Sequence, residues 1–169
     1  MNFRTLSVVT AVSLTFATLG ASTKHATAQQ ANNVVGTWAL VSNVSTAADG
    51  ALSDQFGFGP APKGQAIFSN NGQFSMILHR ADLPKFASNS RAQGTAEENK
   101  AVITGMMAFY GTYTVANKDL VLKVEGASFP NWVGTEQRRP ISSFSADEFK
   151  FTNLAGSAGG HELTFRRIK

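Results

Sequence analysis

From residue 36 onward, apolar and polar residues alternate in short runs, and nearly every run stops at a cluster of Gly, Asn, Ser or Asp. Successive side chains of a strand point to opposite faces, so each run reads as a strand with one face toward a core. Thr37 to Val44 sets Trp38, Leu40, Ser42 and Val44 on one face and ends before Ala48-Asp49-Gly50. Ala66 to Ser69, the turn Asn70-Asn71-Gly72, and Gln73 to Arg80 form a hairpin in which Phe74, Met76 and Leu78 share a face that Arg80 continues. Gly111 to Ala116, which contains Tyr113, returns across Asn117-Lys118-Asp119 into Leu120 to Glu125, with Leu120, Leu122 and Val124 aligned. Gly134 to Phe144, Glu148 to Asn153 and, after a Gly-rich turn over Ala155 to Gly160, His161 to Ile168 complete the meander.

Residues 82 to 108 depart from this period. Thr95-Ala96-Glu97-Glu98 supplies a helix cap with acids in the first turn, and Val102, Ile103 and Met106 follow at helical spacing. The expectation is an all-β chain: an up-and-down antiparallel β-barrel of about eight strands with one short helix. Closing the sheet removes the exposed edges that many short strands would leave, and a barrel of that size can hold one small ligand.

The first 28 residues follow another logic. Met1-Asn2-Phe3-Arg4, an uncharged apolar run from Leu6 to Ala21 and the small-residue end Ala26-Thr27-Ala28 have the three-part layout of a secretory signal. The run is short and rich in Ser and Thr for a span of a ~30 Å hydrocarbon core, so it reads as a removed segment. Expected are a signal peptide over 1–28, one domain over 29–169, a periplasmic or secreted location and no stable membrane span after processing. Cleavage would remove Arg4 and Lys24 and no acid from a chain of formal charge +4. With Arg138-Arg139 and Arg166-Arg167 as the only basic clusters, no nucleic-acid partner is indicated. The chain has no cysteine, so its stability rests on its core.

Two segments carry a family resemblance. Gly36-Thr37-Trp38 resembles the Gly-x-Trp opening of lipocalins, and Phe165-Arg166-Arg167 ends the last strand. Phe129-Pro130-Asn131-Trp132-Val133-Gly134-Thr135-Glu136-Gln137-Arg138-Arg139, with Gly111-Thr112-Tyr113 and the strand from Phe74 into Asp82-Leu83-Pro84-Lys85-Phe86, is similar to the bacterial lipocalin-like domain family over residues 34 to 168. The resemblance implies the lipocalin-like barrel, with Gly36 and Trp38 at its closed end and a basic side chain of the final strand over the Trp ring. Arg167 is the choice for that partner, because it shares a strand face with Leu163 and Phe165. The family carries no single activity or cofactor to transfer.

The chain's own chemistry is sparse. Only His79 and His161 lie beyond the signal, with no metal-ligand spacing, and Ser occurs in no Gly-x-Ser-x-Gly, so neither a metal site nor a catalytic set is read. The glycines of Gly57-Phe58-Gly59-Pro60 and 156–160 lack the context of a phosphate loop, and no cofactor is expected. The polar set with content is Arg80, Glu136, Gln137, Arg138 and Arg139. A guanidinium inside the barrel needs a carboxylate or a ligand anion, and Glu136 is the carboxylate expected to meet Arg80. Glu136 and Arg138 share one face of their strand and Gln137 and Arg139 the other; which pair looks inward stays open, as does a solvated rim for the whole set. The candidate ligand-binding residues are therefore Phe74, Met76, Leu78, Arg80, Tyr113, Trp132, Glu136 and Arg139, with Trp132 at the mouth. The expected ligand is small and apolar or amphiphilic. Two alternatives stand beside it: acid–base chemistry in the cavity by Glu136 next to Arg80, and a filled barrel that serves as an interaction module.

Overall fold

The computed structural model describes residues 34–46, 52–53, 58–59, 61–153 and 160–169. The expected signal peptide, the turn Ala48-Asp49-Gly50, Phe56, Gly57, Pro60 and most of the Gly-rich turn before His161 lie outside them.

Nine strands follow in chain order: β1 (Gly36–Thr46), β2 (Leu52–Ser53), β3 (Lys63–Phe68), β4 (Gln73–His79), β5 (Met106–Ala116), β6 (Asp119–Ala127), β7 (Glu136–Phe144), β8 (Glu148–Asn153) and β9 (His161–Arg167). All neighbours pair antiparallel. From β3 to β9 each strand pairs with the next, β1 pairs with β3 on one side and β9 on the other, and the two-residue β2 adds only to the far end of β1. Eight strands therefore close into an up-and-down barrel with no free edge, the arrangement the alternating runs demand. One helix, α1 (Ala96–Gly105), stands between β4 and β5.

The period-two faces go where burial sends them. Phe74, Met76 and Leu78 of β4 alternate with exposed Gln73, Ser75 and Ile77, and Leu120, Leu122 and Val124 of β6 point into the same core. Strict alternation fails at three bulges, whose extra residues are Val41 in β1, Glu125 in β6 and Ser142 in β7. A bulge inserts one extra residue and reverses the parity beyond it. In β1, consequently, Asn43 and Ser45 turn inward, whereas Val41 and Val44 are exposed and the expected inward places of Ser42 and Val44 are lost. Opposite the β6 bulge, Gly111 of β5 is required by space, since a Cβ there would strike the Lys123 carbonyl.

One half of the barrel is solid. Trp38, Phe68, Phe149, Phe151 and Phe165 are fully buried, with Trp38 and Phe149 ring centroids 5.6 Å apart and Phe151 stacked on Phe165 at 5.5 Å. Full burial of each such side chain contributes roughly 1.5–3 kcal/mol. Arg167 closes this end: its guanidinium lies 4.0 Å from the Trp38 ring centroid and donates to the carbonyls of Val35 at 2.8 Å and Ala146 at 2.6 Å. Gly36 sits at φ +138°, and a Cβ there would meet the Arg167 guanidinium, so the Gly of Gly-x-Trp makes room for the cation that covers the Trp.

The helix begins at Thr95 with the expected capping box, in which Thr95 Oγ1 accepts from the Glu98 N–H at 3.2 Å and Glu98 accepts from the Thr95 N–H at 2.8 Å. It ends sooner than the apolar spacing implies. Met106 is the first residue of β5, and Ile103 is exposed rather than packed, because α1 rests on the barrel rim through its last residues and buries only Gly105.

Candidate functional site

At the end of the barrel opposite Trp38 the side chains do not meet, and a cavity of about 50 Å³ remains. Met76 and Leu78 of β4, Met107 and Phe109 of β5 and Leu163 of β9 form apolar walls. Phe58, buried between β2 and β3, and Trp132, on the one-turn helix Pro130–Trp132 between β6 and β7, close in from the mouth. The Trp132 ring stands edge-on to Phe109 at 5.3 Å and to Phe129 at 6.2 Å, which fixes it as a half-buried flap over the opening. The polar lining is Asn43, Arg139, Asn153 and His161.

Arg139 dominates this lining. It occupies the inward face of β7 and is 3 % exposed. Its guanidinium carbon lies 5.9 Å from the Phe109 centroid, 5.9 Å from Trp132 and 5.6 Å from Phe151. Ring faces attract a cation at these distances, but each contributes only about 0.5–2 kcal/mol. The side chain donates through Nη2 to Gln137 Oε1 at 2.5 Å, whereas its Nε, also buried, has no hydrogen-bond partner among the described residues. No ion pair joins Arg139 to a carboxylate among the described residues. Burial without a countercharge holds its pKa down to about 10. A charge in this position is expensive, by several kcal/mol even after local relaxation.

A second buried polar atom is unsatisfied in the same lining, Oδ1 of Asn43. The β1 bulge aims Asn43 inward, and one step further Ser45 and His161, opposite each other across β1 and β9, are joined by a hydrogen bond between Oγ and Nδ1 at 2.5 Å. Both are buried, and this contact fixes the imidazole in the wall.

Of the eight residues expected to bind ligand, Met76, Leu78, Trp132 and Arg139 come together around the cavity. Phe74 stands behind the wall, between Phe68 and Phe109. Tyr113 is placed by the Phe68–Tyr113 contact at 5.0 Å in the solid half, where its hydroxyl donates to the Ser69 carbonyl at 3.0 Å and burial raises its pKa. Arg80 and Glu136 need correction. Arg80 lies past the end of β4 at the rim and makes a two-pronged ion pair with Asp82, at 2.7 and 3.0 Å, which holds the Asp82 carboxyl below its usual range. Glu136 is on the outer face of β7, exposed and paired with Arg138 at 3.1 Å. A partner two residues away along the chain competes better for a long side chain than a residue across the barrel. The pair imagined between Arg80 and Glu136 does not exist, and acid–base chemistry by Glu136 inside the cavity loses its geometry. The open question between the two faces of β7 closes in favour of Gln137 and Arg139.

Asn43, Met107, Asn153, His161 and Leu163 were not among the expected binding residues. For β9 the signal was available, because His161 has the parity of Leu163 and Phe165. For Asn43 it was the spacing of Val41 and Val44, three apart in a strand, which a strict alternation cannot place on one face.

No curated protein sequence matches the chain. Among solved structures, a lipocalin-like protein from Bacteroides uniformis superposes with a TM-score of 0.46 at 16% identity, covering 80% of this chain and 99% of that one. A redesigned β-barrel scores 0.41 at 15% identity, covering 82% and 95%, and a de novo designed fluorescence-activating β-barrel scores 0.40 at 13%, covering 82% and 96%. The lipocalin-like domain model matches residues 35–168, from the strand that carries Gly36 and Trp38 to the one that carries Arg167, and the chain belongs to the lipocalin-like domain family.

Proposed function

We propose that this protein is an exported binding protein that takes a small, largely apolar molecule bearing an acidic group into the open half of its barrel. One observation carries the reading: a buried guanidinium faces an apolar cavity with no carboxylate paired to it among the described residues. Apolar walls with a few placed polar groups are the makeup of small-molecule sites, and an anion brought to Arg139 would supply the missing charge in a place where water does not screen it. Cavity size sets the scale. About 50 Å³ exceeds several-fold the roughly 10–15 Å³ needed to seat one water, and falls far below the ~300–1,000 Å³ of drug-sized sites. The site as it stands fits an acid of a few heavy atoms, or the acidic end of a longer molecule once Trp132 swings aside.

Export is the companion proposal and rests on the layout of residues 1–28. None of the described helices is long and apolar enough to cross a membrane. N-terminal sequencing of the protein recovered from the envelope or medium should begin at Gln29, and recovery of a chain that retains Met1 from the cytoplasm would refute it.

Native mass spectrometry of protein purified gently from its own host, followed by denaturing extraction, tests the binding reading. A stoichiometric small acid present in the wild type and absent from Arg139→Met is expected. An unliganded mass that persists after incubation with a metabolite and lipid extract would reject it and favour a filled barrel that acts through its surface.

A further inference from the structure

The cavity is unsatisfied in two places, and the two are complementary. Among the described residues, Arg139 Nε is a buried donor without an acceptor, and Asn43 Oδ1 is a buried acceptor without a donor. Unpaired buried polar atoms are rare in folded proteins, and each one costs more than an ordinary hydrogen bond returns. Here both sit in the wall of one small cavity, one on β7 and the other on β1, and neither strand is the other's neighbour in the barrel. A local side-chain rearrangement within one hairpin therefore has no means of joining them, whereas a molecule that enters the cavity and displaces its lining slightly would meet both residues.

We infer that the ligand is a short carboxylate carrying a hydroxyl group, its oxyanion on Arg139 and its hydroxyl donating to Asn43 Oδ1. This specification rests on the anion-binding reading above and adds the second contact. The apolar part of the same lining includes Met76, Leu78, Phe109 and Leu163, so the carbon skeleton joining the two groups meets thioether, aliphatic and aromatic surface. A dicarboxylate fits less well, since its second charge would face an amide oxygen and an apolar wall. An unsubstituted acid satisfies Arg139 and leaves Asn43 Oδ1 as it is. A site built to hydrogen-bond a hydroxyl discriminates strongly against the analogue that lacks it, because the site's own polar atom is then left buried and unpaired.

The test is isothermal titration of the folded wild-type chain, at constant ionic strength, with propanoate, its two monohydroxylated isomers and propanol. One of the two hydroxy acids should bind about tenfold or more tightly than propanoate, and propanol should not bind. Asn43→Leu and Asn43→Ala should both bring the hydroxy acid and propanoate to equal affinity, and Arg139→Met should abolish binding of every acid. Two variants of different size at Asn43 separate lost recognition from a packing defect, and a retained melting transition shows that each is folded. Equal affinity for propanoate and both hydroxy acids, or a preference unchanged in both Asn43 variants, overturns this inference and leaves the anion site standing. Failure of all three acids to bind overturns both.

Discussion

Arg139 is where the molecule departs from what stability alone would choose. A cation buried among Phe109, Trp132 and Phe151, with a hydrogen bond to Gln137 and no carboxylate partner among the described residues, weakens the fold at neutral pH. Arg139→Met keeps the length of the side chain and removes the charge, so the unliganded variant should gain roughly 1–3 kcal/mol, read as a higher denaturation midpoint. A loss of several kcal/mol would mean that the surrounding rings and Gln137 already compensate the charge. The pH dependence has a definite sign. The folded-state pKa, about 10, lies below that of the unfolded chain, so between the two values the unfolded state holds more protons. The penalty is therefore fully present below about pH 10 and is relieved as pH rises through it. Anion affinity moves the opposite way: flat across neutral pH, then falling as the guanidinium loses its proton near pH 10. Binding of a carboxylate that strengthens above pH 10 would exclude Arg139 as its anchor.

At the scale of strands and helix, the bulges decide which side chains enter the site. Alternation along β4 and β6 was legible residue by residue, since Phe74, Met76 and Leu78 and then Leu120, Leu122 and Val124 occupy the faces their spacing assigns. In β1 the same rule fails after Leu40, because a bulge is set by backbone pairing with β9 and leaves only a weak mark in one strand's own sequence. Asn43 was missed for that reason, and Arg139 stayed tied with Arg138 because β7 offers few apolar residues to anchor its parity. Misreading Arg80 had a different cause: sequence shows that a charge needs a partner, not that Asp82 reaches it first. The helix was visible from Thr95 and Glu98, whose box is formed. Glu98 also accepts from the Ala87 N–H at 2.8 Å, so this carboxylate, its pKa lowered by these backbone donors, ties the loop after β4 to α1. Thr95→Ala should cost about 1 kcal/mol by loss of the cap and raise amide exchange in α1 and the adjoining loop, with β1 and β9 unchanged. Uniform loss of protection across the barrel would show that α1 is part of the core's cooperative unit.

Taken as a whole, the barrel divides its labour by its two ends. The Trp38 end is held by fully buried aromatics and by Arg167, and Phe149 touches Trp38, Phe68, Phe144, Phe151 and Phe165 at once. Phe149→Ala should accordingly cost about 3–5 kcal/mol. Trp132→Ala, at the half-buried mouth, should cost much less and enlarge the opening. A Phe149→Ala cost near that of Trp132→Ala would argue against a solid closed half. The closed barrel could be foreseen from alternation and turns, and the closed Trp38 end from the family resemblance, whereas how far side chains fill the interior could not, because side-chain volume inside a barrel depends on how eight strands meet. Whether the open half receives an acid at Arg139 can be read from thermal melting under rising propanoate, with propanol and chloride as controls at equal ionic strength. The melting temperature should rise with propanoate as binding to the native state requires, stay flat with propanol, and stay flat for Arg139→Met with either. Equal shifts with acid and alcohol, or a propanoate shift that survives in Arg139→Met, would contradict an acid site at Arg139.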